Sequence, residues 1–217
     1  MTPQTFDVIN NTIAKNWVEG NCPTVLHQIH SNEVNIATYN REIDVLSNEI
    51  DTALNQAIEI RVNGDIDKIV QTIENNLKEF DLLKSDLISL LHLFKDITKA
   101  NRYKVLLATV NTNMCRRFHT DINDLRMLCT YSGPGTLWLE DDNVNRKALD
   151  TCGDNECIVL DETKIHQAKT GSVVILKGAI YPTEGTKAIV HRSPTIEEIG
   201  ERRLLLRIDT NEFLNFD

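Results

Sequence analysis

DLRMLCTYSGPGTLWLE, residues 124–140, decides how the chain is read. Two β-rich runs flank a Ser-Gly-Pro-Gly break, and because Gly and Pro supply turn dihedrals and interrupt a ladder, the stretch predicts two strands joined as a hairpin. The same grammar extends outward, with YKVLLATV (103–110) before it and GSVVILKGA (171–179), TKAIVHRSP (186–194) and RRLLLRID (202–209) after it, each bounded by turn residues. Residues 140–170 read as a long polar insertion at the rim.

The front of the chain follows a different period. Ile43, Leu46, Ile50, Leu54 and Ile58 recur at three-and-four spacing, as do Ile66, Ile69, Val70, Ile73 and Leu77 behind a capping Asp65, and Leu83, Leu87, Leu90, Leu91 and Phe94 after them. The expected fold class is therefore α+β in a single domain, 1–217: a mainly helical front half, 1–100, packed on a β core spanning 103–210.

Composition narrows the function. A net charge of −9 and a pI near 5.2 work against a nucleic-acid backbone or an anionic membrane surface as partner, so neither is expected. The start, MTPQTFDVINNTIAKNW, lacks the basic and apolar regions of a secretory leader, and a cytoplasmic protein is expected. Five scattered cysteines do not suggest a disulfide framework; Cys152 and Cys157, in TCGDNEC, read as loop thiols rather than half of a zinc site. His27 and His30 lack a third ligand nearby, His92 sits in a Leu-rich helix, and His166 carries no signal.

One constellation carries chemistry. In RRFHTDIND (116–124), His119 and Asp121 lie two apart and share one face of an extended segment. His191 ends the apolar run AIV and is the natural third donor. Two imidazoles and a carboxylate form a facial set that binds a divalent metal and leaves positions open. An isolated H-x-D is common, and the competing reading is a surface pair with an unrelated polar histidine.

The order of the surrounding motifs favours the metal. HTD (119–121), TYSGPGTLWL (130–139), GSVVILKG (171–178), VHRSP (190–194) and GER (200–202) resemble, in series, the iron(II)- and 2-oxoglutarate-dependent oxygenases of the prolyl-hydroxylase-like branch. TYSGPGTLWL with KG and HRSP also resembles an uncharacterised bacterial family known only as a domain of unknown function. The first resemblance implies a double-stranded β-helix (a jelly-roll or cupin-like barrel), Fe(II) held by His119, Asp121 and His191, and 2-oxoglutarate held through its far carboxylate by an arginine. Arg202 fits the G-x-[RK] pattern, provided that a tight turn at Glu197 and Glu198 pairs the His191 strand with the last strand. Arg207 is the second choice, and a one-residue bulge would turn Arg203 and Arg207 inward instead. Tyr131 either assists the same carboxylate or is a core tyrosine. Arg126 and Arg192 flank the expected metal and are candidates for an acidic substrate, or else neutralise nearby carboxylates. The substrate, a small molecule or a protein, is not legible. A non-redox metal-binding barrel holding zinc or iron, and a metal-free interaction module, are the alternative functions.

Overall fold

The computed structural model describes residues 15–183 and 185–210; the leader reading of the first residues falls largely outside them. In chain order the elements are β1 (Trp17–Gly20), β2 (Ile36–Tyr39), α1 (Ser47–Asn55), β3 (Glu59–Gly64), α2 (Ile66–Asn76), α3 (Asp81–Thr98), β4 (Tyr103–Val110), β5 (Leu125–Ser132), β6 (Leu137–Leu139), α4 (Asn155–Ile158), β7 (His166–Gln167), β8 (Val173–Lys177), β9 (Val190–Arg192) and β10 (Arg203–Thr210). Short 3-10 turns join several of them. The fold is mixed α/β, built on a seven-stranded sheet ordered β1-β2-β8-β5-β10-β4-β3 and a three-stranded sheet ordered β7-β6-β9. Every pairing is antiparallel except β1 with β2.

The first hundred residues are not simply helical. They supply β1, β2 and β3 to the large sheet as well as α1, α2 and α3. The Ile43-to-Ile58 stripe forms a 3-10 turn at Asp44–Leu46 and an α-helix only over Ser47–Asn55, ending where Ala57 takes φ 51° and the chain turns into β3. The other two stripes are helices: Asp65 caps α2 through Lys68 N at 2.9 Å, and Leu83, Leu87, Leu90, Leu91 and Phe94 of α3 are all buried. These helices share one apolar core with Val105, Leu107, Met127, Cys129, Leu204 and Leu206 on one face of the large sheet.

The alternate residues of the same strands point the other way. Leu128, Val174, Leu176 and Leu205 pack with Trp138 and Ile189 between the two sheets. A third core joins Phe118, Leu139 and Val190 to Ala148, Ile158 and Val159 of the 140–170 insertion, which covers the outside of the small sheet.

The Ser-Gly-Pro-Gly break is not a hairpin turn. β5 belongs to the large sheet and β6 to the small one, so the break is a corner at which the chain changes sheets. Gly133 takes φ +79°, and a Cβ there would lie 2.5 Å from Arg202 O and 2.8 Å from Arg203 Cγ; the corner needs glycine because the start of β10 passes beneath it. Likewise β9 and β10 do not pair: β9 lies beside β6, and β10 lies between β4 and β5. Cys152 and Cys157 are joined in a disulfide, which corrects the expectation of free loop thiols. Among the described residues no helix is long and apolar enough to cross a membrane.

Candidate metal centre

β9 carries His191 on the inner side of the small sheet, opposite Trp138 of β6. Across its other edge a single antiparallel bridge joins His191 to His119, with both N–H···O distances at 3.0 Å. Among the described residues that bridge is the sole β-pairing of the H-x-D segment, and Ala179 N adds a hydrogen bond to Asp121 O at 2.8 Å. The segment's approach is fixed by the insertion: Asn155 accepts Phe118 N at 2.8 Å and donates to Arg116 O at 3.0 Å, while the Arg117 guanidinium donates to Cys152 O at 2.7 Å.

His119, Asp121 and His191 each offer a donor atom, and the three atoms lie within 4.8 Å of one another. Asp121 Oδ2 is 3.2 Å from His191 Nε2, and Asp121 Oδ1 is 3.6 Å from His119 Nε2. Each imidazole turns its Nδ1 toward the carbonyl two residues upstream, His119 to Arg117 O at 2.9 Å and His191 to Ile189 O at 3.4 Å. An Nδ1–H donated to a carbonyl fixes the tautomer that leaves the Nε2 lone pair free, an arrangement typical of metal-ligating histidines. Burial opposes the Asp121 charge, yet His119, His191 and Arg126 together hold its carboxyl far below the usual range. The hydrogen bond to Asp121 in turn raises the pKa of His119.

Arg126 binds Asp121 with one nitrogen and donates to Asp209 Oδ1 at 2.5 Å with Nε. Asn123 also donates to Asp209, at 3.2 Å, and Arg207 Nε lies 3.1 Å from its Oδ2 without hydrogen-bond alignment. Arg207, Leu205, Leu128 and Thr136 join His119, His191 and Arg126 around a narrow cleft of about 50 Å³, room for a water or two.

The remaining expected residues go elsewhere. Arg202 precedes β10 and donates to Leu54 O at 3.0 Å, on α1, away from the cleft. Its assignment depended on pairing the strand of His191 with β10; since those strands lie in different sheets, Arg203 and Arg207, not Arg202, share the inner face with Leu205. Tyr131 faces the helices, and its hydroxyl donates to Asp86 at 2.6 Å. Arg192 lies on the opposite face of β9 from His191, with its guanidinium 5.2 Å from the Phe118 ring centroid. Neither Tyr131 nor Arg192 enters the cleft.

Sequence reasoning passed over Asp209 and kept Arg203 only as a contingency. Arg203 is 1% exposed and donates to Thr130 Oγ1 at 3.0 Å; no carboxylate pairs with it among the described residues, and burial alone pushes its pKa down to about 10. The available signal was the period-two series Arg203, Leu205, Arg207, Asp209.

The model of the family described as "Protein of unknown function (DUF1826)" matches residues 20–209. No curated protein matches the sequence. Among solved structures, the chain is similar to dioxygenase for auxin oxidation 1 from Arabidopsis thaliana, solved as a binary complex with 2-oxoglutarate, with a TM-score of 0.53 and 10% identity over 89% of this chain and 91% of that one. It is also similar to a prolyl-4-hydroxylase from Pseudomonas putida, with a TM-score of 0.48 and 10% identity over 86% of this chain and 96% of that one. At such identity the first likeness establishes a shared fold.

Proposed function

Because the chain belongs to the DUF1826 family, whose description assigns no activity, we propose its function from its own site: an iron(II)- and 2-oxoglutarate-dependent oxygenase that hydroxylates an organic substrate. The observation that carries this reading is Arg203. A guanidinium buried without a counter-charge is costly, and its planar fork matches a carboxylate bidentately. It shares the inner face of β10 with Leu205 and Arg207, both of which line the cleft beside the imidazole and carboxylate donors.

The donors fit the metal. Two Nε2 atoms and one carboxylate suit divalent iron and leave positions for other ligands. When bound, iron(II) with 2-oxoglutarate and dioxygen supplies a hydroxylation coupled to decarboxylation of the cosubstrate to succinate. The residues have separable roles. His119, Asp121 and His191 hold the metal. Arg126, fixed between Asp121 and Asp209, orients the Asp121 carboxylate. Arg203 takes the distal carboxylate of the cosubstrate, with Thr130 orienting the guanidinium. Leu128, Leu205 and Trp138 keep water from the interior. That the Arabidopsis dioxygenase was solved with 2-oxoglutarate supports the same cosubstrate for a chain of the same fold.

The small cleft favours a second reading, a cupin-like barrel that holds zinc or iron without turnover, since about 50 Å³ does not admit 2-oxoglutarate unless side chains move. Incubation of the iron-loaded protein with 2-oxoglutarate in air separates the two. The oxygenase slowly forms succinate even without its substrate, and Asp121→Ala abolishes this. Absence of succinate, together with absence of 2-oxoglutarate binding, leaves the metal-only barrel.

A further inference from the structure

The inner face of the large sheet continues past the metal cleft onto β4 and β3. Strand register sets Arg207 opposite Leu106, Leu106 opposite Arg61, and Asp209 opposite Lys104. Arg61, Lys104, Leu106 and Arg207 consequently share one surface, and they line a cavity of about 270 Å³. Arg207 lines the metal cleft as well, so its side chain borders both spaces. Leu106 is 4% exposed, belongs to none of the three apolar cores, and lies at the floor of this second space beneath the basic side chains.

The charge here runs against that of the whole chain. Four basic groups, Arg61, Lys104, Arg126 and Arg207, face three acidic ones: Glu59 on Arg61, Asp121 on Arg126, and Asp209 shared by Arg126 and Arg207. Lys104 has no ion pair among the described residues. A divalent metal would add to this excess, within a chain whose net charge is −9.

We propose that this shelf is the substrate-recognition site, and that the substrate is a small organic anion whose carboxylate or phosphate is held by Lys104, Arg61 and Arg207 while its apolar body lies on Leu106 and reaches the metal past Arg207. The assignment rests on the oxygenase reading and supplies its substrate class. Three basic side chains on an acidic protein suit one small anion rather than a polyanionic backbone. It also divides the arginines of β10: buried Arg203 serves the cosubstrate, and Arg207, which borders both spaces, serves the substrate.

Benzoate, phenyl phosphate and benzylamine, which share an aromatic body and differ in charge, test the proposal on the zinc-loaded protein, with the ¹³C-labelled methyls of Leu106 as reporter. Benzoate and phenyl phosphate shift those methyls saturably, and the tighter of the two identifies the acidic group; benzylamine does not. Lys104→Gln and Arg61→Gln each weaken the anion by about fivefold. Equal binding of benzylamine, or anion affinity unchanged in both variants, overturns the proposal. 2-Oxoglutarate binding is measured in parallel. If Arg207→Gln abolishes it while Arg203→Gln does not, Arg207 belongs to the cosubstrate and the shelf is not the substrate site. If the wild type binds anions at Leu106 but never binds 2-oxoglutarate, the oxygenase reading falls and the anion site stands.

Discussion

The Asp121 carboxylate lies 3.2 Å from His191 Nε2, a contact between segments far apart in sequence that the His119–His191 backbone bridge brings side by side. The bridge fixes the spacing of the two imidazoles, whose ring centroids are 4.7 Å apart, and Asp121 closes the third corner.

If this triangle holds a metal, Asp121→Ala abolishes stoichiometric binding of iron(II) or zinc, measured by metal analysis after desalting, while His92→Gln leaves it intact. Protons compete for His119, whose pKa is raised above 6.5, so affinity falls as the pH is lowered from the mildly alkaline range to 6.5. Metal binding that survives Asp121→Ala, or that is flat across this range, contradicts the assignment.

Asp209 anchors Arg126 and approaches Arg207, and its side chain is only 9% exposed. Asp209→Ala leaves two buried or half-buried guanidinium groups short of a counter-charge, and a loss of about 3 to 5 kcal/mol in urea unfolding is expected. A loss below about 1 kcal/mol would show that Arg126 is satisfied by Asp121 alone.

Tyr131 and Arg202 test which face of each strand looks inward. Tyr131→Phe removes a buried hydrogen bond to Asp86 and costs about 1.5 to 3 kcal/mol of stability, with no change in 2-oxoglutarate affinity. Arg202→Ala likewise leaves that affinity unchanged, whereas Arg203→Gln lowers it roughly ten- to a hundred-fold. Calorimetry on the metal-loaded variants reads all three, and the opposite ranking of Arg202 and Arg203 reverses the assignment.

Lys177 offers a test of the scaffold alone. Its ammonium is buried, donates to Ser31 O at 2.7 Å, lies over the Tyr181 ring, and meets no carboxylate among the described residues; burial lowers its pKa from 10.5 to about 8. The unfolded chain therefore binds this proton more tightly between these values, so the contribution of Lys177 to stability rises with pH from about 8 to 10.5, by up to about 3 kcal/mol. Lys177→Met removes that slope. Buried Cys129, whose thiol is pushed up to about 11, slopes the other way in both proteins, so the difference between wild type and variant is the readout, and a difference that is flat or falls over this range rules out the desolvated ammonium.

How much of this was legible in the sequence depends on the face each residue takes. The stripes of α2 and α3 and the convergence of His119, Asp121 and His191 follow from period and motif. Tyr131 and Arg202 do not, for one physical reason. Both faces of the large sheet are covered, so β5, β8 and β10 read as nearly continuous apolar runs in which alternation marks two faces without saying which is inner. The Ser-Gly-Pro-Gly corner is likewise ambiguous, since the same residues close a hairpin or carry the chain to a second sheet. Gly133 is resolved only by the close passage of Arg202 and Arg203 beneath it.

The most direct test of the oxygenase account is anaerobic addition of 2-oxoglutarate to the iron(II)-loaded protein, followed in the visible region, where chelation of iron(II) by a 2-oxo acid gives a weak absorption band. The account predicts a saturable band in the wild type, displaced to much higher 2-oxoglutarate concentration in Arg203→Gln and unchanged in Arg202→Ala. Iron bound in full with no band at millimolar 2-oxoglutarate would contradict it and leave a metal-binding barrel without this chemistry.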